Sequence, residues 1–144
     1  MNILTAKELR EKIALAEAEK AAAAMKAHEA AEREKREMIE RLCKPSGLDD
    51  NEIIERASAI VSRAVENGLS QVQVLRFPHT ICKDNGRAIN QAEEGWENTL
   101  DGVPKEIYDF WKRQLQPRGY HIRYEVVDYP NGMPGDIGIF LSWG

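Results

Sequence analysis

His79, Cys82 and Arg87 come closest to a chemical site in their types and spacing, because they fall within one polar loop. An imidazole, a thiol and a guanidinium in one loop could hold a small polar or anionic ligand, bound mainly by Arg87 and the loop amides. The loop follows a predicted strand, and ligands in open α/β sheets tend to bind beyond the carboxyl ends of strands. We therefore predict residues 78–87 as a candidate ligand-binding site.

Other roles stay open for the same side chains. Cys82 could act as a nucleophile with His79 or His121 as its base, but that chemistry needs contact in space. His79 and Cys82 would give a metal ion two ligands, whereas a structural zinc site takes four. The loop could also be an ordinary one, with Cys82 packed inward and Asp84-Asn85-Gly86 forming a turn. The sequence therefore predicts no catalytic residue, no metal site and no cofactor, and it favours a non-enzymatic protein.

The body that must position this loop, residues 45–144, has the signals of three helices and three strands. Asp49 is a predicted N-cap with Glu52 three residues later, and the helix it opens ends at Asn67-Gly68. A short helix is predicted over 87–94. Val103-Pro104 opens a further helix with Pro at its first position, N1. The buried face of that helix is predicted as Ile107, Tyr108, Trp111 and Leu115.

Strands are predicted over 71–77, 120–129 and 137–143, from alternating apolar residues rich in β-formers. The last two strands form a hairpin across the turn at 130–135. The first two are joined through a helix, which normally gives a parallel crossover. The fold class predicted is α+β, with a long N-terminal helix before a two-layer α-β-(α)-α-β-β body and a three-stranded mixed sheet. The third strand is the candidate for its centre, because both of its faces are largely uncharged.

Trp96 is an unusual aromatic residue in the long polar segment before the last helix. It could anchor that segment on the core, or it could be an exposed residue that binds a protein partner. We favour anchoring.

The first third of the chain is predicted to be one long charged helix from Thr5 to Cys43. Thr5 and Glu8 form a capping box, and no Gly or Pro follows until Pro45. Eleven alanines and many Glu, Lys and Arg residues give this segment strong helix propensity. We therefore divide the chain into a helical arm, residues 1–44, and the α/β body, residues 45–144.

An apolar stripe follows the arm with a 4-3-4 spacing, which is an 11-residue repeat. This spacing keeps the stripe on one face of a nearly straight helix. Two lysines, Lys20 and Lys35, interrupt it, and a merely long solvated helix is the alternative interpretation. We predict self-association of residues 5–43, with an antiparallel arrangement mildly favoured and the number of helices open. The predicted oligomerisation residues are Leu9, Ile13, Ala16, Ala24, Ala27, Ala31, Met38 and Leu42.

Charge excludes several classes of partner. Residues 1–44 carry 10 Lys and Arg against 9 Asp and Glu, and residues 45–144 carry 10 against 15, for the total of −4. An acidic body argues against binding to nucleic acid or an anionic membrane. The chain has no apolar run of membrane-spanning or signal-peptide length, and its two cysteines are far apart. We expect a cytoplasmic protein with reduced thiols.

The element order, together with Gly119-Tyr120 and Leu141-Ser142-Trp143, resembles that of small prophage-type bacterial proteins of unknown function. The resemblance covers residues 48–144 and implies no functional residue. The leading hypothesis is a non-enzymatic, oligomerising interaction or accessory protein with a possible protein partner. The alternative is a small polar-ligand-binding or catalytic domain that uses the loop at 78–87.

Overall fold

The computed structural model describes residues 3–144 and divides into two compact units, one ending at Met38 and the other spanning Ile39–Gly144. The predicted α+β class with a long N-terminal helix is confirmed. The division between the units falls before the boundary predicted at residue 44. The last turn of the long helix therefore belongs to the same compact unit as the α/β body.

Helix α1 spans Ala6–Leu42 and begins at the predicted capping box. The Glu8 amide donates to the Thr5 hydroxyl at 3.1 Å, and the Thr5 amide donates to the Glu8 carboxylate at 3.2 Å. All residues from 3 to 38 are exposed. Leu42 differs, because its side chain packs against the core of the body. This placement corrects the assignment of Leu42 to the oligomerisation stripe.

Helix α2 spans Asp50–Glu66 and also begins as predicted, with the Asp49 carboxylate accepting from the Glu52 amide at 2.8 Å. It ends where the Leu69 amide donates to the Ala64 carbonyl at 2.9 Å. All of α2 lies within the described residues, and Ala64 is its one buried residue. The apolar face of α2 is therefore only loosely covered by the body.

Three strands form the sheet: β1 (Gln71–Pro78), β2 (His121–Val126) and β3 (Asp136–Ser142). Their order is β1-β3-β2, which confirms β3 as the central strand. Both neighbouring pairs are antiparallel, so the prediction of a mixed sheet is corrected. β1 and β2 do run in the same direction, as a crossover through helices requires, but the β2–β3 hairpin places β3 between them.

The alternating apolar residues of β2 and β3 lie on the face of the sheet that packs against the helices. Ile137 lies opposite Phe77 and Val126 in the register, and Ile139 lies opposite Tyr124. Ile137, Ile139 and Phe77 are 0% exposed. The residues buried in the main core cluster are Phe77, Ile81, Cys82, Ile89, Leu100, Tyr124, Ile137 and Ile139.

Two helices follow β1. Helix α3 is a single turn, Arg87–Asn90, shorter than the predicted 87–94. Helix α4 spans Gly102–Phe110 and continues as a π-helical turn over Trp111–Leu115. Asp101 caps α4, so Pro104 stands third in the helix rather than first. Phe110 is buried, although the predicted face of this helix did not include it.

Candidate functional site

The loop after β1 is built around the Asp84 carboxylate. Its two oxygens accept from the amides of Gly86 and Ala88 at 3.0 and 2.9 Å. Gly86 has φ +81°, and a Cβ at this position would lie 3.1 Å from Ile137 Cδ1 and 3.2 Å from His79 Cβ. The predicted turn is therefore present, and Asp84 itself occupies the amides that an anionic ligand would otherwise use.

His79 and Arg87 line one open groove of about 500 Å³. His79 Nδ1 lies 2.9 Å from the Gly135 carbonyl, which requires Nδ1 to be the protonated nitrogen and fixes the ring beside the β2–β3 hairpin. Arg87 is mostly exposed, and its guanidinium lies 3.8 Å from the Glu93 carboxylate. The other residues lining the groove are Asp84, Asn85, Asn90, Pro130, Asn131, Met133 and Pro134.

Cys82 does not line this groove. Its side chain is 3% exposed and packs in the core cluster with Phe77 and Leu100. Burial, with a smaller contribution from the Asp84 charge, raises the pKa of the Cys82 thiol to about 12. A thiol with that pKa stays protonated at neutral pH, and the thiolate is the nucleophile and the metal ligand. Of the three predicted ligand-binding residues, the structure brings together His79 and Arg87 alone.

The two cysteines are expected to differ sharply in reactivity, because Cys43 is exposed and Cys82 is buried. A disulfide reagent at pH 8 should label one thiol per native chain and two per chain in denaturant. In a Cys43→Ser variant the remaining thiol should react only as fast as the body opens. Rapid labelling of that native variant, at a rate near that of free cysteine, would contradict the placement of Cys82.

Trp96 anchors its segment on the core, which confirms the favoured interpretation. Its ring centroid lies 5.0 Å from that of Tyr124 and 5.6 Å from that of Tyr108. The Tyr124 hydroxyl is buried and donates to the Pro104 carbonyl at 2.7 Å. Burial raises the pKa of this hydroxyl far above its usual value, so Tyr124 serves as a neutral donor that ties β2 to α4.

A second concave feature lies along α2, and the sequence did not single it out. Three neighbouring cavities of about 250, 140 and 110 Å³ in the described chain share walls and run along the inner side of this helix. Ile53, Ile107 and Phe110 border the first two of these cavities. Ala57, Leu115 and Leu141 border the last two. We call these three neighbouring cavities together the α2 cleft.

One partial signal for the α2 cleft is present in the sequence. Apolar residues recur at helical spacing along α2, among them Ile53, Ala57, Ile60 and Val61, and a face of that width normally packs fully against a core. Because β1, α4 and β2 approach α2 from distant parts of the chain, the gap they leave depends on their tertiary arrangement. Periodicity alone predicts the apolar face but not the space beneath it.

Comparison with known proteins adds no relative. No protein-family model, curated protein or solved structure matches this chain. Within residues 3–144, no three His, Cys, Asp or Glu side chains are grouped so that they could hold a metal ion. In the same part of the chain, no helix combines the length and the apolar character needed to cross a membrane.

Proposed function

We propose that this protein is a non-enzymatic interaction or accessory protein that self-associates through α1. One observation carries the proposal: α1 is 37 residues long, and every residue from 3 to 38 is exposed in the single chain. These residues include large apolar ones on the stripe, with Leu9 47% and Ile13 58% exposed. Helix stability in proteins comes mostly from packing of an apolar face, so a helix of this length is expected to acquire a partner.

The composition of the stripe suits a second copy of the same helix. At 1.5 Å per residue, α1 extends over roughly 55 Å, so many weak contacts can add along it. The alanines at 24, 27 and 31 allow two backbones to approach closely. The stems of Lys20 and Lys35 can lie on the partner helix while their ammonium groups stay in water. Burying each large stripe side chain contributes about 1.5–3 kcal/mol.

Two features of α1 refine the stripe. Leu42 packs on the body, so Met38 is the last large side chain that the stripe offers to a second helix. Leu15 and Met25 are 62% and 65% exposed but lie off the stripe. A two-helix contact would leave them in water, whereas a larger bundle would bury at least one of them. The mass of the assembly therefore reports which arrangement forms.

Paired Ala→Glu substitutions test the role of the stripe. By light scattering, the wild-type chain should have the mass of two or more chains of 16.3 kDa each. The Ala27→Glu/Ala31→Glu variant should be monomeric, because it places like charges in the apolar stripe. The Ala18→Glu/Ala22→Glu variant has the same composition and i,i+4 spacing but lies on the opposite face, near Leu15 and Met25. It should keep the wild-type mass if two helices associate, and it should leave a dimer if the wild-type assembly is a larger bundle.

Deletion of residues 1–38 provides the complementary comparison, since it keeps the last turn of α1 with the body. We expect the shortened chain to be monomeric. A wild-type chain that is monomeric at 100 µM (roughly a hundred times a dissociation constant of about 1 µM) would contradict the proposal. So would equal masses for the two Glu variants.

A further inference from the structure

We propose that the α2 cleft binds the hydrocarbon chain of a fatty-acid-type amphiphile, with the carboxylate of the ligand at Arg56. This ligand site is separate from the self-association of α1 and does not depend on it. The middle cavity of the α2 cleft alone measures about 140 Å³ and is lined almost wholly by apolar side chains.

The apolar lining selects the kind of occupant. The middle cavity lies between Ile53 and Ile60 on one side and Ile122 and Leu141 on the other. The cavity is open to solvent, and water in it finds few polar partners, so an apolar group that displaces this water gains affinity. A hydrocarbon group gains free energy by entering such a space, at about 25 cal/mol per Å² of apolar surface removed from water.

The shape of the α2 cleft favours a linear chain over a compact molecule. Its three cavities follow one another along α2, from Leu48 at one end to Val61 and Tyr120 at the other. Neighbouring cavities share lining residues, with Arg56 bordering the first two and Ala57 the last two. A flexible chain of methylene groups that starts at Arg56 can follow the middle cavity toward Tyr120, whereas a rigid ring system cannot bend to do so.

The charge at the border of the α2 cleft favours an anionic head group. Arg56 borders both the 250 and the 140 Å³ cavities, is exposed, and forms no ion pair with any residue from 3 to 144. A guanidinium can bind a carboxylate through two parallel hydrogen bonds. Glu106 borders the same end, but its two oxygens accept from the Ser46 amide and hydroxyl at 2.9 and 2.7 Å.

Arg118 lies at the opposite end of the α2 cleft and is a weaker candidate for the head group. Its guanidinium donates to the Gln114 carbonyl and, at 3.2 Å, to the side-chain oxygen of the same residue. These bonds close the π-helical end of the body. Arg56 has no such engagement among the described residues, so we place the carboxylate there and the end of the chain near Tyr120.

The first turn of α2 is held by contacts at or near the protein surface, so it can move to admit a chain. Asp50 accepts from Arg113 and from Gln114, both at 3.0 Å. Exposed ion pairs of this kind contribute only about 0–1 kcal/mol. With Ala64 the one buried residue of α2, the start of this helix can separate from α4 at small cost while its end stays packed.

Titration calorimetry with dodecanoate, below its micelle concentration and on the full chain, tests the proposal. We expect saturable binding of one molecule per chain. Ala57→Leu should weaken binding at least 10-fold, because Ala57 borders two of the cavities and a larger side chain fills them. Ala59→Leu is the matched control on the exposed side of α2 and should bind as the wild-type chain does.

The head group is tested separately. Arg56→Gln should weaken dodecanoate binding about 5-fold or more and leave binding of dodecanol unchanged, whereas Arg63→Gln should change neither. These two variants decide the matter if Ala57→Leu does not fold. Absence of saturable binding, or equal affinity for dodecyltrimethylammonium, would overturn the proposal. A change in oligomeric mass on Ala57→Leu without ligand binding would show that a second copy fills the α2 cleft, and would also overturn it.

Discussion

Replacing Phe77 with Ala is expected to lower the free energy of unfolding of the body by about 3–5 kcal/mol. Phe77 is 0% exposed on β1, directly opposite Ile137 in the register. Its ring meets that of Tyr124 edge to face, with centroids 6.4 Å apart. Small domains are stable by only about 5–15 kcal/mol in total, so the loss would remove a large part of the stability.

Phe140→Ala is the matched control, because Phe140 stands on the central strand but on the opposite face of the sheet. That ring is partly exposed, and the Arg123 guanidinium covers it 4.5 Å from its centroid. We expect this substitution to cost about 1 kcal/mol, the size of a cation–π contact and a partly buried ring. Equal losses for the two variants would show that the core does not lie on the helical side of the sheet.

Urea denaturation followed by tryptophan fluorescence measures both variants on the body alone. All three tryptophans, Trp96, Trp111 and Trp143, lie in the body, and α1 contains none. Helix melting in α1 therefore does not enter the signal. A transition that shifts in midpoint but keeps its slope reports a change in stability rather than in the denatured state.

The features that short-range contacts determine could be predicted from the sequence. The capping box at Thr5 and the N-cap at Asp49 depend on residues three positions apart, and both form as expected. The alternation of apolar residues along β2 and β3 predicts which side chains are buried, and the structure buries the same ones. β3 is the central strand, as its uncharged faces indicate. The caps form between residues close together in the chain, and the alternation of a strand lies in its own residues, so both patterns are visible in the sequence.

The candidate sites could be predicted only in part, because they depend on distant segments. Tertiary packing determines whether the hairpin places β3 beside β1. Because β3 lies between β1 and β2, the sheet is antiparallel rather than mixed. His79 and Arg87 share a groove only because the β2–β3 turn at 130–135 closes its far side. Cys82 lies three residues from His79 yet packs into the core, since the intervening 3₁₀ turn over His79–Ile81 rotates the chain.

Gly102, at the start of α4, is expected to tolerate no side chain. Gly102→Ala should lower the free energy of unfolding by about 2–4 kcal/mol, in the range of strained or overpacked substitutions. Gly102 has φ +60°, and a Cβ there would overlap the Leu42 carbonyl oxygen and lie 2.8 Å from two backbone atoms of Cys43. The last turn of α1 therefore packs backbone to backbone against α4, and only glycine leaves room for it.

Gly119→Ala separates the steric part of this effect from the conformational part. Gly119 also has a positive φ, +90°, but a Cβ there would meet no described atom within 4 Å beyond its chain neighbours. Gly119→Ala should therefore lower the free energy of unfolding only by the cost of holding a residue with a Cβ in the left-handed conformation, about 1–2 kcal/mol. Both variants are compared by the same urea titration. Equal losses would contradict the close approach of α1 and α4.

The Gly102→Ala variant also separates two roles of α1. The contact that it disturbs lies within Ile39–Gly144, whereas the proposed self-association uses residues up to Met38. We therefore expect Gly102→Ala to weaken the body while the oligomeric mass at low temperature stays that of the wild-type chain. If the mass falls as well, the body rather than α1 holds the copies together, because no residue of the stripe before Leu42 has been changed.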